Sequence, residues 1–578
     1  MRYFCLISDY DGTLARDGQV VSSTIEALKR VKASGRKLIL ATGREMKDLL
    51  LVFHEIKLFD LVVAENGAVL YHPASGESRA LAEAAPKNFV EELRSRGVQP
   101  LSVGDCIVAT WHPYESVVLE VIRTLGLELQ VIFNKDAVMV LPSGVNKGTG
   151  VRVALEELGL STHNSIGVGD AENDHAFLGI CECSVAVGNA LPILKERADI
   201  VTEATHGAGV EEIIEKLLAD DLASMRSRLK RHEILLGHLA DGEEFCLQPY
   251  ATRVLVAGPS GGGKSTIVTA IVERLIQNQY QVCVIDPEGD YDDFAQLVAL
   301  GGSDRIPGTS EILEVLKTAT TSVSINLLGV PLADRPSYFV ALLPRLQELR
   351  ARTGRPHWIV VDEAHHLLPS ELDSASLSIP KDLGSLVLIT VHPESVSSTV
   401  ISAINVVIAI GPDPAATIHQ INLVDGRTRL EPHLEGTEAR SGQMLVWRPA
   451  ESDKAISVTL EPPKAELRRH KRKYAAGELG EDKSFYFRGP QGKLNLRAQN
   501  LNLFAQIAEG IDDETWAHHL LQNDYSKWLR EAVKDEAVAG EIAAIEKDRS
   551  LAPAESRSRI LEMIRKHYTQ PASKKAEA

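Results

Sequence analysis

Over roughly the first 220 residues, short apolar runs alternate with amphipathic segments. The runs at 3–8, 37–41, 61–64, 165–169 and 184–187 are short, dense in Val, Leu and Ile, and bounded by polar turns, the pattern of strands buried on both faces. This alternation predicts a doubly wound parallel sheet. The rhythm breaks between about 72 and 142, with Pro73, Ser75 and Gly76 at the entrance and Leu141-Pro142-Ser143-Gly144 at the exit. An inserted α+β cap is expected there, on a core made of 1–71 and 143–220.

A locally basic, helical stretch with Arg226, Arg228, Lys230 and Arg231 follows, and 221–247 reads as a linker. A second α/β block is expected over 248–460, with strands near 254–257, 282–286, 358–362, 386–391 and 405–410. Pro462-Pro463 and the basic run Arg468 to Lys473 then mark another boundary. The rest, 461–578, reads as a small helical module whose aromatics, Phe485-Tyr486-Phe487 and Trp516 among them, serve packing. The last residues, from Ser573, read as a frayed tail.

Length and charge narrow the function classes. A chain of 578 residues exceeds one hydrophobic core and predicts three to five units. Asp and Glu number 79 against 62 Lys and Arg, which disfavours a broadly cationic nucleic-acid coat while leaving room for a local basic channel. The six cysteines, at 5, 106, 181, 183, 246 and 283, have neither paired zinc spacing nor disulfide density, and read as reduced core thiols. With no long apolar stretch and no leader-like start, a cytoplasmic protein with no membrane partner is expected.

Two carboxylates, Asp9 and Asp11, stand where the first apolar run ends, in Asp9-Tyr10-Asp11-Gly12-Thr13-Leu14. A carboxylate can attack phosphorus and divide ester hydrolysis into two easier steps, and Asp9 is placed for that. Asp11, two residues on, points to the same side and can protonate the leaving oxygen, then activate water. Anionic nucleophile and anionic substrate need cations between them. Gly169-Asp170-Ala171-Glu172-Asn173-Asp174, after its own strand, offers oxygen ligands for Mg²⁺, with Asp9, Asp11, Asp170 and Asp174 as candidates. Lys147 can neutralise the phosphoryl group, and Thr42, in Ala41-Thr42-Gly43-Arg44, can donate to it. Glu65-Asn66-Gly67 reads equally as a substrate loop or a tight turn.

These four ordered elements resemble the haloacid dehalogenase (HAD) phosphohydrolase superfamily over about residues 1–220. The long insert between Thr42 and Lys147 is similar to the Cof-like and sucrose-phosphatase-like branch with a type 2 cap. The resemblance implies Asp9 as nucleophile, Asp11 as acid/base, Thr42 and Lys147 as phosphate ligands, and Asp170, supported by Asp174, on magnesium.

The second block opens with the strand Val254-Leu255-Val256-Ala257 and Gly258-Pro259-Ser260-Gly261-Gly262-Gly263-Lys264-Ser265, a full P-loop pattern. Glycines such as Gly258, Gly261 and Gly263 let backbone N–H groups surround phosphates, and the following helix presents its positive end. Lys264 would reach the β and γ phosphates of ATP, Ser265 the Mg²⁺, and Thr266 the adjacent phosphate. Trp358-Ile359-Val360-Val361-Asp362-Glu363 is an apolar strand ending in two acids, with Asp362 expected near Mg²⁺ and Glu363 poised to polarise water. Together with Ile285 to Tyr291 and Asp362-Glu363-Ala364-His365-His366, the block looks like HerA-type P-loop ATPases. His392 stands where that resemblance implies a polar sensor, usually Gln.

The favoured reading is a Mg²⁺-dependent phosphatase for a small phosphorylated metabolite, a sugar phosphate among the classes, fused to an ATP-hydrolysing domain. A bifunctional kinase and phosphatase, or a nucleic-acid-linked motor with an accessory phosphatase, are the alternatives. Arg345, Arg350, Arg352, Arg427 and Arg429 are candidate arginine fingers, and the lack of one fixed by a motif implies a homo-oligomer completing the site in trans.

Overall fold

Apolar residues recur at 0–4 % exposure along the parallel strands of the first block, which forces that part of its sheet to be covered on both faces. The computed structural model describes residues 1–134, 136–259, 262–292, 294–371, 384–424, 443–451, 454–464, 479, 484–492, 494–533 and 536–568. Two compact units are present: Met1–Gly289 with Ala295–Lys464, and Asp290–Phe294 with Ala465–Ala578.

In the first unit, β1 (Cys5–Asp9), β2 (Lys37–Ala41) and β3 (Leu61–Ala64) are joined by β4 (Val69–His72) and β5 (Glu77–Ala80) on one side. On the other lie β10 (Ser165–Gly169), β11 (Cys183–Ala186) and β12 (Ile200–Val201), giving the order β12-β11-β10-β1-β2-β3-β4-β5. All neighbours from β12 to β3 are parallel, while β4 and β5 run antiparallel. The cap carries its own antiparallel sheet, in the order β6-β7-β9-β8, from β6 (Ser102–Val103), β7 (Val108–Trp111), β8 (Leu129–Asn134) and β9 (Ala137–Pro142). Its helices Lys87–Ser95 and Glu115–Leu125 cover one face.

The cap thus begins after residue 80, later than the expected 72. Pro73 to Gly76 form a hairpin turn, and His72 pairs with Glu77, so this stretch extends the core sheet. The expected linker 221–247 is corrected as well. Only its first part connects; β13 (Ile234–His238) and β14 (Glu244–Leu247) form a hairpin at the edge of the second sheet. Its alternating buried positions, Ile234 and Leu236 on one strand and Phe245 and Leu247 on the other, carry the short apolar period that marks a strand.

That second sheet has eleven strands in the order β14-β13-β23-β22-β21-β15-β20-β19-β16-β18-β17. Its centre is β15 (Arg253–Ala257), flanked by β21 (Val406–Ala409) and β20 (Ser385–Thr390); β19 (Trp358–Val361) and β16 (Val282–Asp286) follow outward. Neighbours across β21-β15-β20-β19-β16 are parallel. Beyond them lie β18 (Ser322–Asn326) and β17 (Leu297–Gly301) on one side, β22 (Gln443–Trp447) and β23 (Ala455–Leu460) on the other. In parallel sheets, ligands gather at the C-terminal strand ends, and here β15, β20, β19 and β16 bring Gly258, Thr390, Asp362 and Asp286 to one edge.

The second unit pairs β24 (Phe485–Phe487) with β25 (Leu496–Ala498) and adds helices including Leu501–Gly510, Asp513–Gln522 and Pro553–Tyr568. Phe485, Phe487, Phe504, Trp516, Tyr525 and Trp528 form its core. Arg427, Arg429, the basic run 468–473 and the tail from Ser573 lie outside the described residues. No helix among the described residues is long and apolar enough to cross a membrane.

Candidate active sites

Asp9 ends β1, and Asp170 follows β10 on the adjacent parallel strand, with Ser8 in register with Val168. The sheet therefore delivers both carboxylates to one edge. Lys147 is the first residue of the Lys147–Glu157 helix, fixed by Asn146, whose side chain accepts from Thr149 N at 3.1 Å. The Lys147 Nζ donates to Asp9 Oδ1 at 2.5 Å and to Asp174 Oδ1 at 2.7 Å. Asp174 Oδ2 in turn accepts from the amides of Asp170 at 2.9 Å and Ala171 at 3.0 Å. Thr13 Oγ1 donates to Asp170 Oδ1 at 3.1 Å. Gly12 is obligatory beside them: its φ is +88°, and an added Cβ would sit 2.4 Å from Asp170 Oδ2.

Asp9, Asp170 and Asp174 place ligand oxygens within 4.8 Å of one another, all three buried. Burial first, then the charges of Asp174 and Asp170, pushes the Asp9 carboxyl well above the usual range. Burial alone would lower Lys147, but Asp174 and Asp9 reverse that and raise it. Lys147 bonds two of these three buried carboxylates, and a set of three clustered carboxylate oxygens fits a divalent cation with a preference for oxygen.

The expected ligand set needs one correction. The Asp11 carboxylate is not in this group, because Arg44 holds it in a fork, Nε to Oδ2 at 2.7 Å and Nη2 to Oδ1 at 2.8 Å. Thr42 is fully buried at the end of β2, where its Oγ1 accepts from Arg44 N at 3.1 Å. Glu65-Asn66-Gly67 is a turn with all three φ positive, at 49°, 55° and 108°. Its side chains also reach outward: Asn66 Oδ1 accepts from Asn173 Nδ2 at 3.0 Å. The Glu65 carboxylate accepts from the cap amides of Asp105 at 2.9 Å, Cys106 at 2.7 Å and Ile107 at 2.9 Å.

In the second block, Gly258 follows β15 and Lys264 opens the Lys264–Gln277 helix, capped by Gly263. Lys264 is buried, with Nζ donating to the carbonyls of Gly258 at 2.9 Å and Pro259 at 3.0 Å. Ser265 and Thr266 are on the first turn of that helix, Ser265 half-buried and Thr266 exposed; Gly261 lies outside the described residues. Asp362 and Glu363 are buried at the end of β19, with Glu363 in the left-handed region at φ 44°. The Glu363 amide donates to Asp362 Oδ1 at 2.9 Å. His365 Nδ1 lies 3.2 Å from Thr390 Oγ1 and 3.6 Å from Glu363 Oε2. Burial, then His366 and His392, pushes His365 down to about 4. His392 is half exposed and bonds Glu394 at 3.1 Å, while Thr390, at the end of β20, is the polar side chain that reaches His365.

A sequence profile of haloacid dehalogenase-like hydrolases matches residues 6–106 and 122–214. Phosphoglycolate phosphatase 2 of Saccharolobus solfataricus is 33% identical over 216 residues, covering 37% of this chain and 91% of that protein. The chain belongs to the haloacid dehalogenase-like hydrolases. A phosphoglycolate phosphatase of Methanothermobacter thermautotrophicus is 30% identical, over 36% of this chain and 96% of the relative. A solved haloacid dehalogenase-like hydrolase from Bacteroides thetaiotaomicron aligns at 22% identity and TM-score 0.34, over 37% of this chain and 99% of that one. A profile for the central domain of the helicase HerA matches 232–339, so the chain joins a HAD-like hydrolase domain to a HerA-like domain. That match begins at residue 232, in agreement with the β13–β14 hairpin belonging to the second block.

Sequence reasoning on this HAD-like chain missed two partnerships. Arg44 was visible beside Thr42, yet nothing local tied it to Asp11. Asn66 and Asn173 are 107 residues apart and meet only through the fold. Arg335 was not among the candidate fingers; burial weakens its charge against the pull of Glu288 and Asp286, and its Nε donates to the Val330 carbonyl at 3.2 Å, while Arg345 pairs with Glu348 and Arg350 donates to the carbonyl of Pro356.

Proposed function

We propose that the HAD-like domain is a phosphomonoesterase that works through an aspartyl-phosphate. The observation that carries this is Lys147, buried between Asp9 and Asp174, beside the Asp170 carboxylate. Asp9 attacks phosphorus, Lys147 and Thr42 hold the phosphoryl oxygens, and Asp11 protonates the leaving oxygen and then takes a proton from water. Asp9, Asp170 and Asp174 would hold Mg²⁺, which supplies positive charge to the phosphoryl group.

The substrate in this reading is a small phosphorylated carboxylic acid of the phosphoglycolate class, the activity for which the relatives are named. The closeness of the cap supports a small leaving group. Ile107, Met139 and Leu141 of the cap are buried in the same apolar cluster as the core sheet, and a Cβ on Gly43 would sit 3.0 Å from Met139 Cε. A bulky sugar phosphate fits that contact less well.

The HerA-like domain is proposed to bind and hydrolyse ATP, with Gly258, Gly261, Gly263, Lys264, Ser265 and Thr266 around the phosphates, Ser265 and Asp362 toward Mg²⁺, and Glu363 on the attacking water. Arg335, close enough to Glu288 and Asp286 to feel their charge, is the proposed cation in cis; a homo-oligomer that supplies an arginine in trans is the alternative. Nucleic acid is not part of this reading. The deciding experiment assays purified protein with Mg²⁺ on phosphoglycolate, glucose 6-phosphate and ATP. Release of phosphate from phosphoglycolate that is lost in Asp9→Asn supports the first half; no turnover of any monoester would sink it.

A further inference from the structure

The two lysines open two helices, and the residues just past the end of the second helix touch the middle of the first and the turn that follows it. The Lys147–Glu157 helix has 11 residues and the Lys264–Gln277 helix 14. At 1.5 Å per residue they run about 16 and about 21 Å away from their sites. Just past the second helix, the Asn278 carbonyl accepts from His163 Nε2 at 2.6 Å, and Gln279 Oε1 accepts from Arg152 Nη1 at 3.1 Å. Arg152 is on the first helix, and His163 lies in the short turn that leads into β10 and so to Asp170.

The contact between the two domains is polar and largely buried, and it surrounds a cavity of about 290 Å³ lined by His163, Glu182, Tyr280 and His357. His163 Nδ1 donates to Glu182 Oε2 at 2.6 Å, so both ring nitrogens face acceptors and the ring donates twice. Tyr280, from the HerA-like domain, stacks on His163 with ring centroids 3.7 Å apart and donates to the same Glu182 oxygen at 2.9 Å. Arg2 neutralises Glu182 from the other side. Two further bonds cross the seam: Arg355 Nη2 to the Gly159 carbonyl at 2.7 Å, and His357 Nε2 to Asn164 Oδ1 at 3.3 Å. His357 Nδ1 accepts from Gln281 N at 2.8 Å, which fixes its proton on Nε2.

A loose tether between independent enzymes needs none of this. Burying a carboxylate, two imidazoles and two guanidiniums is costly unless their geometry is held, so the bonds that cross the seam favour one arrangement of the two domains over others. We propose that this seam couples the two sites. Phosphate engagement by the P-loop amides and Lys264 acts on one end of the Lys264–Gln277 helix, and its other end bears on the elements that carry Lys147 and Asp170. Linkage makes the effect reciprocal: occupancy of the phosphatase site changes nucleotide affinity by the same factor.

This inference rests on the functional reading above, and its test separates the two. The full chain is assayed with p-nitrophenyl phosphate and Mg²⁺, with and without saturating AMPPNP, while a fluorescent mant-nucleotide reports P-loop binding. The expected result is a change in kcat/KM of about threefold or more on adding AMPPNP. Lys264→Ala should abolish the change, which excludes competition by the nucleotide at the phosphatase site. Tyr280→Phe and His163→Gln should cut it to below about 1.5-fold while keeping basal turnover within about twofold. Arg152→Ala with Gln279→Ala, at the exposed rim, decides the outcome if the buried variants do not fold. Turnover and nucleotide binding without any mutual effect overturn the coupling alone, as does an effect that persists in every folded seam variant. Absence of turnover removes the phosphatase reading, and the coupling with it.

Discussion

Lys147 Nζ sits 2.5 Å from the Asp9 carboxylate, an ammonium and a carboxylate joined across 138 residues of sequence. The pair is buried, so neither charge is solvated by water and each depends on the other. Asp9→Asn should lower phosphatase kcat by about a thousandfold or more, and Lys147→Met should do the same, since groups acting as a unit fail together. Steady-state kinetics on phosphoglycolate checks both. A double variant no worse than either single would identify the unit; strictly additive losses would break it.

Asp11 is held by Arg44 outside the carboxylate cluster, and the reading above gives it the proton of the leaving group rather than the metal. Asp11→Asn should cost about a hundredfold on an alkyl phosphate but under about tenfold on p-nitrophenyl phosphate, whose leaving group needs no proton. Equal losses on both substrates would refute the acid role. Magnesium affinity, read from the activity titration, should shift little.

The Glu65 carboxylate takes three amide donors from residues 105–107 of the cap. Removing it strands those donors, so Glu65→Ala should destabilise the protein by about 2 to 4 kcal/mol in urea unfolding. It should also raise KM and open the cap to limited proteolysis. Unchanged cleavage in the cap would show that Glu65 does not latch it.

ATP hydrolysis should fail in two distinct ways. Lys264→Ala should lose nucleotide affinity, whereas Glu363→Gln should bind ATP and cleave it at least about a hundredfold more slowly. Arg335→Ala should keep binding and lose kcat at any protein concentration. A rate per chain that rises with concentration would instead favour an arginine supplied by a second copy.

Burial, with His163 and Arg355 nearby, holds the seam residue His357 well below the usual imidazole value; Arg350 adds to this and Glu182 opposes it. For a base depressed in the folded state, the unfolded chain binds the proton first. Stability is therefore complete above the usual value of about 6.5 and falls as pH drops below it. Melting temperature should fall between about pH 7.5 and about pH 5.5, and the fall should be smaller in His357→Asn, which keeps an acceptor for Gln281 N. Parallel pH profiles for the two proteins would exclude His357 as a contributor.

Local chemistry was enough to write down most of both sites. Asp9-Tyr10-Asp11-Gly12, Gly258 to Ser265, and the acids after Val361 lie at strand ends marked by short apolar runs, and backbone geometry fixes what a motif a few residues long can present. The same reasoning went astray where pairing partners are distant. The hairpin at 234–247 passed for a linker, because whether a marginal strand joins a sheet depends on β23, more than 200 residues later. Tertiary structure alone decided that Arg44 clamps Asp11, that Glu65 holds the cap, and that the chain just past the Lys264–Gln277 helix bonds His163 through the Asn278 carbonyl. Hydrogen bonds and ion pairs act over about 3 Å, and a linear sequence carries no signal of which distant groups folding will bring that close.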